Sequence, residues 1–186
     1  MSILIVVSGP SGVGKGTLLR RVLDRFPELQ VGLSWTTREW RVGDDDGIKR
    51  YQYVSRDEFM QAVERGEFLE WAEFGGNLYG SWYREEGHTL LEIEVQGAQQ
   101  VLAAKPDAYL VGILPPGNNL EEQLAVVEQR LLGRGSEDKA AALKRLAAAP
   151  SEIAALTTMW PRVIVNNDLE QATHELIALI EPLMSA

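Results

Sequence analysis

The chain has no cysteine. Disulfides and thiol chemistry are therefore excluded, and the composition suits a reducing compartment such as the cytoplasm. Histidine is limited to His88 and His174, neither well placed for catalysis. Basic residues are outnumbered, 18 against 27 acidic ones, for a formal net charge of −9. That balance argues against a broad nucleic-acid or anionic-membrane surface and makes local clusters of arginine more informative. No apolar run approaches the roughly 18 residues of a membrane span. The apolar start, Ile3 to Val7, is too short for a signal peptide and has no basic flank. Nor does any repeat, low-complexity tract or long linker divide the 186 residues, which suit one compact domain with small inserted lobes.

What is present is concentrated at the start. Ile3 to Ser8, mostly β-branched, reads as a buried strand. Gly9, Pro10, Ser11, Gly12, Val13, Gly14 and Lys15 follow as G-x-x-x-x-G-K, then Gly16 and Thr17. This is the phosphate-cradling loop between a strand and a helix. Its N–H groups must turn inward on an anion, an approach that side chains would obstruct. The helix that follows adds its N-terminal partial charge, and Lys15 is placed to reach the β- and γ-phosphates of a nucleotide. Leu18, Leu19, Val22, Leu23 and Phe26 continue as the apolar stripe of that helix. Gly16 stands where Ser or Thr usually meets Mg²⁺, with Thr17 one place later.

Further along, Val31 to Trp35 reads as a strand, followed by Arg38 and Arg41 among Ser34, Thr36 and Thr37. Guanidinium forks match phosphate oxygens, so this loop suits a second phosphate; a solvated loop with incidental charge is the other reading. Tyr51 to Val54 alternates as a strand. Ser55 and Glu58 form a capping box for a helix over Arg56 to Arg65. Phe68 to Ala72 is strand-like with Glu70 inside it, a position usually solvated, and Gly75 to Ser81 reads as a turn. Strands at Thr89–Ile93, Tyr109–Leu114 and Arg162–Val165 alternate with helices at Val95–Ala104, Leu120–Leu132, Glu137–Ala149 and Leu169–Met184. Pro150 is expected to break or kink the chain. Alternating strands and helices predict an α/β fold with a parallel sheet covered on both faces.

Laid end to end, these segments resemble the guanylate kinase family of nucleoside monophosphate kinases. The likeness is carried by an ordered set: GPSGVGKGT (9–17), TTR-x-x-R (36–41), EFLEWAEF (67–74), N-x-YGS (77–81), LLEIEVQGA (90–98), RLLGRG (130–135) and VIVNND (163–168). The resemblance implies a P-loop nucleotide-binding fold with a five-stranded parallel core sheet (1–31, 88–119, 151–186), a GMP-binding lobe (32–87) and a helical lid (120–150). It implies phosphorylation of GMP by ATP with Mg²⁺, the metal held mainly through phosphates and water. Ser34, Glu70 and Ser81 would lie at the guanine base. Arg38, Arg41, Tyr51 and Tyr79 would hold its phosphate, and Glu92 would stand near metal and substrate. Arg130, Arg134 and Arg145 would close over the transferring group, and Asn166 would border adenine. Two other readings remain open: a non-catalytic interaction module of the same shape, and a kinase of another phosphorylated acceptor. The chain departs from the family in a shortened segment between Ser81 and Leu90, a lengthened one between Pro115 and Gly133, Trp40 in place of the usual proline, and Pro150 within a helix.

Overall fold

The structure, a computed structural model, describes residues 2–40, 49–83, 87–133 and 139–185. Its centre is β1 (Leu4–Ser8), whose five residues are all buried. Successive side chains of a strand point to opposite faces, and β1 serves two cores. Ile5 and Val7 pack with Leu18, Leu19 and Val22 of α1 (Lys15–Arg25) and with Ala172, Leu176 and Ile180 of α6 (Leu169–Met184). Leu4 and Val6 pack on the other side, among Val95, Ala98 and Val101 of α3 (Val95–Ala104) and Ile153 and Leu156 of α5 (Lys139–Met159).

Five parallel strands form the core sheet in the order β2 (Gln30–Val31), β7 (Thr89–Ile93), β1, β8 (Tyr109–Leu114) and β9 (Val163–Val165). The fold class expected from the sequence is thus observed. A second, four-stranded sheet stands apart from it, in the order β4 (Tyr51–Tyr53), β3 (Leu33–Thr36), β6 (Asn77–Trp82) and β5 (Phe68–Phe74). Here β3 pairs parallel with β4 and antiparallel with β6, and β6 pairs antiparallel with β5. Helix α2 (Arg56–Glu64) covers it through Phe59, stacked on Phe68 at 4.7 Å, while Trp35 meets Phe68 edge-on at 5.6 Å. Ser55 and Glu58 cap α2 reciprocally, as the sequence indicates.

Three expectations are corrected. The single strand read over Val31 to Trp35 is two strands in two sheets. The chain changes sheet at Gly32, whose N–H still donates to the Leu90 carbonyl of β7 at 2.8 Å. The turn read over Gly75 to Ser81 is confined to Gly75 and Gly76, with φ of 61° and 83°. Two consecutive left-handed residues are what a two-residue hairpin requires, so Asn77 onward is free to pair as β6. Finally, of the break or kink expected at Pro150, the break does not occur: α5 continues to Met159. A proline there lacks the N–H for the carbonyl four residues back. Burial of Ala149 on one side of it and of Ile153 and Leu156 on the other offsets part of that loss, and the Ser151 hydroxyl donates to the Ala148 carbonyl at 2.8 Å.

Among the described residues, no helix is long and apolar enough to cross a membrane. Helix α4 (Leu120–Leu132) carries an Asn119 cap whose side chain accepts from the Glu122 N–H.

A proline inside a helix costs about 3 kcal/mol relative to alanine, and packing relieves that here only in part. Pro150→Ala is therefore expected to stabilise the protein by about 1–2 kcal/mol, raising Tm by about 2–4 °C per kcal/mol for a chain of this size. Thermal unfolding followed by circular dichroism checks this. A lower Tm would show that α5 is built around the proline and carries no strain from it.

Candidate active site

At the carboxyl end of β1 the chain turns through Gly9–Gly14 before α1 begins at Lys15. Gly14 is the helix N-cap with φ 101°, and Gly12 has φ 82°, both in the left-handed region that glycine adopts without strain. A Cβ on Gly14 would also come within 2.5 Å of the Asn166 Nδ2. The Lys15 Nζ curls back over the loop and donates to the carbonyls of Gly9 (2.6 Å) and Pro10 (3.3 Å).

Asn166, buried in the turn after β9, donates through Nδ2 to the Val13 carbonyl at 2.8 Å. Arg130, in the last turn of α4, donates to that same carbonyl at 3.1 Å and to the Asn166 carbonyl at 3.0 Å. Three separated segments are thereby tied at one oxygen. They border a cleft of about 530 Å³ lined by Gly12, Gly14, Thr17, Arg130 and Asn166, and also by Gln129, Gly133, Asn167 and Leu169. None of the last four is singled out as a site residue from the sequence. Gly133 and Asn167 lie inside the motifs RLLGRG and VIVNND, and Gln129 and Leu169 each stand beside one, which is the only signal they offer. Burial lowers the Arg130 guanidinium from its ordinary value.

The second sheet assembles another set. In register across its four strands, Tyr51 of β4 lies opposite Ser34 of β3, Ser34 opposite Ser81 of β6, and Ser81 opposite Glu70 of β5. Directly opposed residues share a face, so four residues spread over the sequence form one row. Glu70 pairs with Ser81 in the register that runs unbroken from the Gly75–Gly76 turn, and a bulge follows between Glu70 and Phe68. The Ser81 hydroxyl, fully buried, donates to Glu70 Oε1 at 2.6 Å. Burial pushes the Glu70 carboxyl above the usual carboxylate range; the Ser81 hydrogen bonds oppose this, and nearby Glu94 adds to it.

At the end of β3, Arg38 is buried. Its N–H donates to Thr36 Oγ1 at 3.2 Å, its Nη1 donates to the Glu39 carbonyl at 2.8 Å, and its guanidinium lies 5.1 Å from the Tyr51 ring and 5.7 Å from Tyr53. Tyr79 stands half-buried on β6, paired with Thr36 and Ala72. Arg41 and Arg134 lie outside the described residues.

Between the two regions, Glu92 of β7 has both carboxylate oxygens 3.8 Å from the point a Cβ on Gly16 would occupy, and it pairs with Arg50 Nε at 4.0 Å. Arg50, which the sequence reading misses, precedes β4 and links the second sheet to the core. Among the described residues no three His, Cys, Asp or Glu side chains group to hold a metal. The residues beside the loop therefore fit a divalent ion only if phosphates and water supply most of its oxygens, with Thr17 and Glu92 as protein neighbours.

Arg145 sits half-buried on α5. Seven residues on, and so on the same helix face, is Glu152, a second omission of the sequence reading because it lies beyond Pro150. Burial pushes the Glu152 carboxyl up to about 7; Glu94 contributes in the same direction and Lys15 opposes. Above its unfolded value of 4.5 and below about 7, the folded chain holds a proton that the unfolded chain has released. Stability is then lost as pH rises through that window. Glu152→Gln is expected to raise Tm at pH 8 and leave it almost unchanged at pH 5. Melting curves across that range check this, and an equal effect at both ends would exclude a proton held at Glu152.

The family model for guanylate kinase matches residues 1–183. A guanylate kinase of Synechocystis sp. is 43% identical over 184 residues, covering 95% of this chain and 92% of the relative. One from Synechococcus sp. is 45% identical over 184 residues, covering 95% and 96%. The crystal structure of guanylate kinase from Anaplasma phagocytophilum superposes with a TM-score of 0.70 at 27% identity, covering all of this chain and 87% of that one. The glycine loop with Lys15, the row on the second sheet and this agreement over nearly the whole length have one explanation: the chain belongs to the guanylate kinase family.

Proposed function

We propose that the protein transfers the γ-phosphoryl group of ATP to the phosphate of GMP, giving ADP and GDP. The observation that carries the choice of acceptor is Glu70, a half-buried carboxylate held by Ser81 in a row with Ser34 and Tyr51. Guanine offers two adjacent donors, N1–H and the exocyclic amine, and an ionised carboxylate is acceptor-only and takes both. Adenine presents a lone pair at N1 and is repelled.

The chemistry demands little covalent work from the protein, because the acceptor phosphate is already an anion and needs no general base. What is required is two anions held in line with their charge neutralised. The loop from Gly9 to Thr17 and Lys15 hold the donor phosphates, with Asn166 bordering adenine. Arg38, Arg41, Tyr51 and Tyr79 hold the acceptor phosphate. Arg130, Arg134 and Arg145 gather on the transferring group. Mg²⁺ bound to the ATP phosphates supplies further charge neutralisation, with Thr17 and Glu92 beside it. On this reading 32–87 is the acceptor lobe and 120–150 a lid over the core, whose closure excludes water as a competing acceptor.

Two variants test the proposal with an assay for ADP. Lys15→Ala is expected to lower kcat by about 10³-fold or more, the order of one cation at a transferring phosphoryl group, with circular dichroism like the parent's and a folded chain at the assay temperature. Near-normal turnover would remove Lys15 from the reaction. Glu70→Gln keeps the size and turns one acceptor into a donor. The mismatch is worth about 1.5–3 kcal/mol, so kcat/KM for GMP falls by about one to two decades while that for AMP falls less or rises. An equal loss with both nucleotides would mean that Glu70 does not read the base.

A further inference from the structure

Glycine is a poor choice for the first turn of a helix unless something other than backbone conformation requires it. Gly97, third residue of α3, is buried there. Its φ is not among the positive ones, so its backbone is one that alanine adopts more readily. The requirement must be for space.

The nearest atoms to that space come from one side chain. A Cβ on Gly97 would stand 2.9 Å from Glu70 Oε2, 3.1 Å from Cδ and 3.5 Å from Cγ. All three atoms belong to the far end of one side chain, reaching across from β5. Contacts under 3.0 Å are not sustained by real Cβ atoms, so the carboxyl group would have to move. It cannot move alone, because its other oxygen, Oε1, holds the Ser81 hydroxyl at 2.6 Å. The two oxygens are joined rigidly through Cδ, itself in the path of the added methyl group. Displacing the carboxylate therefore swings or breaks the Ser81 bond as well.

We infer that Gly97 is a specificity-determining positioning residue of the acceptor site: the room left by its missing side chain is where the Glu70 carboxylate stands. Helix α3 of the core, and not the second sheet alone, then sets where the base is read. The ligand class concerned is purine monophosphates that present N1–H and an adjacent amine together. The inference rests on the reading of Glu70 given above.

A flexible side-chain end yields more easily than a helix, so Gly97→Ala should fold while mispositioning its neighbour. Misplacement by about 1 Å is enough for losses of about 10²-fold. The expected result is a rise of about tenfold or more in KM for GMP, with KM for ATP within about twofold of the parent and Tm equal or higher. IMP keeps N1–H and lacks the amine, so it has one donor fewer to lose. The ratio of kcat/KM for GMP to that for IMP should fall, which a general packing defect would not produce.

The coupling is tested by Glu70→Asp, which withdraws the carboxylate by one methylene. In the double variant with Gly97→Ala the combined loss should be smaller than the product of the two single losses. Independent losses, an unchanged KM for GMP, equal losses with GMP and IMP, or a Gly97→Ala variant that does not fold would each overturn the inference. The two readings fail separately. If Glu70→Gln affects GMP and AMP alike, base reading by Glu70 falls and takes this inference with it. If Glu70→Gln is selective while Gly97→Ala behaves as the parent, only the role of Gly97 falls.

Discussion

A loop that offers its N–H groups to an anion leaves its carbonyls to be satisfied elsewhere, and much of the donor site follows from that constraint. Buried backbone carbonyls without partners are expensive. Here the Gly9 and Pro10 carbonyls are met by Lys15, and the Val13 carbonyl by Asn166 and Arg130. On the proposed function, residues that serve the donor nucleotide thus also hold the loop in shape. The same bonds draw the last turn of α4 and the turn after β9 onto the glycine loop. A cleft is the natural result, since three chain segments converge on one oxygen without filling the space before it.

The acceptor side is built on a different principle. The second sheet relies on ring stacking among Phe59, Phe68 and Trp35, where the core sheet relies on interleaved aliphatics. It meets the core where β5 lies on α3, at Glu70 against Gly97, and through the Arg50–Glu92 pair. Both contacts involve carboxylates, Glu70 and Glu92, to which the proposed function gives a role. Burial first, and Glu94 in the same direction, disfavours ionisation of Glu70 and of Glu152.

Most of the core was legible in the sequence because its signals are local. The β-branched run before the glycine loop, the stripe from Leu18 to Phe26 and the capping box at Ser55 each need only a few neighbouring residues to be recognised. The errors fell where distant contacts decide. Nothing around Gly32 announces that the chain leaves one sheet for another, and the propensity of Pro150 is overruled by what Ile153 and Leu156 bury. The Gly75–Gly76 pair did carry a hairpin signal, obscured by the polar residues after it. At the candidate site, Lys15 stands out by the spacing of the glycine loop, whereas Arg130 and Arg145 stand out only through the family resemblance. The positions of Arg50, Glu152 and Gly97 become meaningful only when the fold brings Glu92, Lys15 and Glu70 beside them.

The bulge between Phe68 and Glu70 has a consequence for how this lobe can vary. Trp82 pairs with Phe68, and the next residue of β6, Ser81, pairs with Glu70 and not with Leu69. The pairs from Phe74–Asn77 to Glu70–Ser81 run unbroken from the Gly75–Gly76 turn, and the bulge takes up one surplus residue beyond them. In a strand, a shift of one place exchanges the two faces. A residue added or removed at the bulge therefore moves Phe68 and leaves Glu70 against Ser81. One removed between Glu70 and the turn would set Leu69 against Ser81 and turn the carboxylate away. On the proposed function, base recognition is then written in the length of chain between Glu70 and the hairpin turn as well as in residue identity. Single-residue insertions and deletions in that stretch, more than substitutions on the surface of the sheet, are the changes by which a relative could lose its acceptor while keeping its fold.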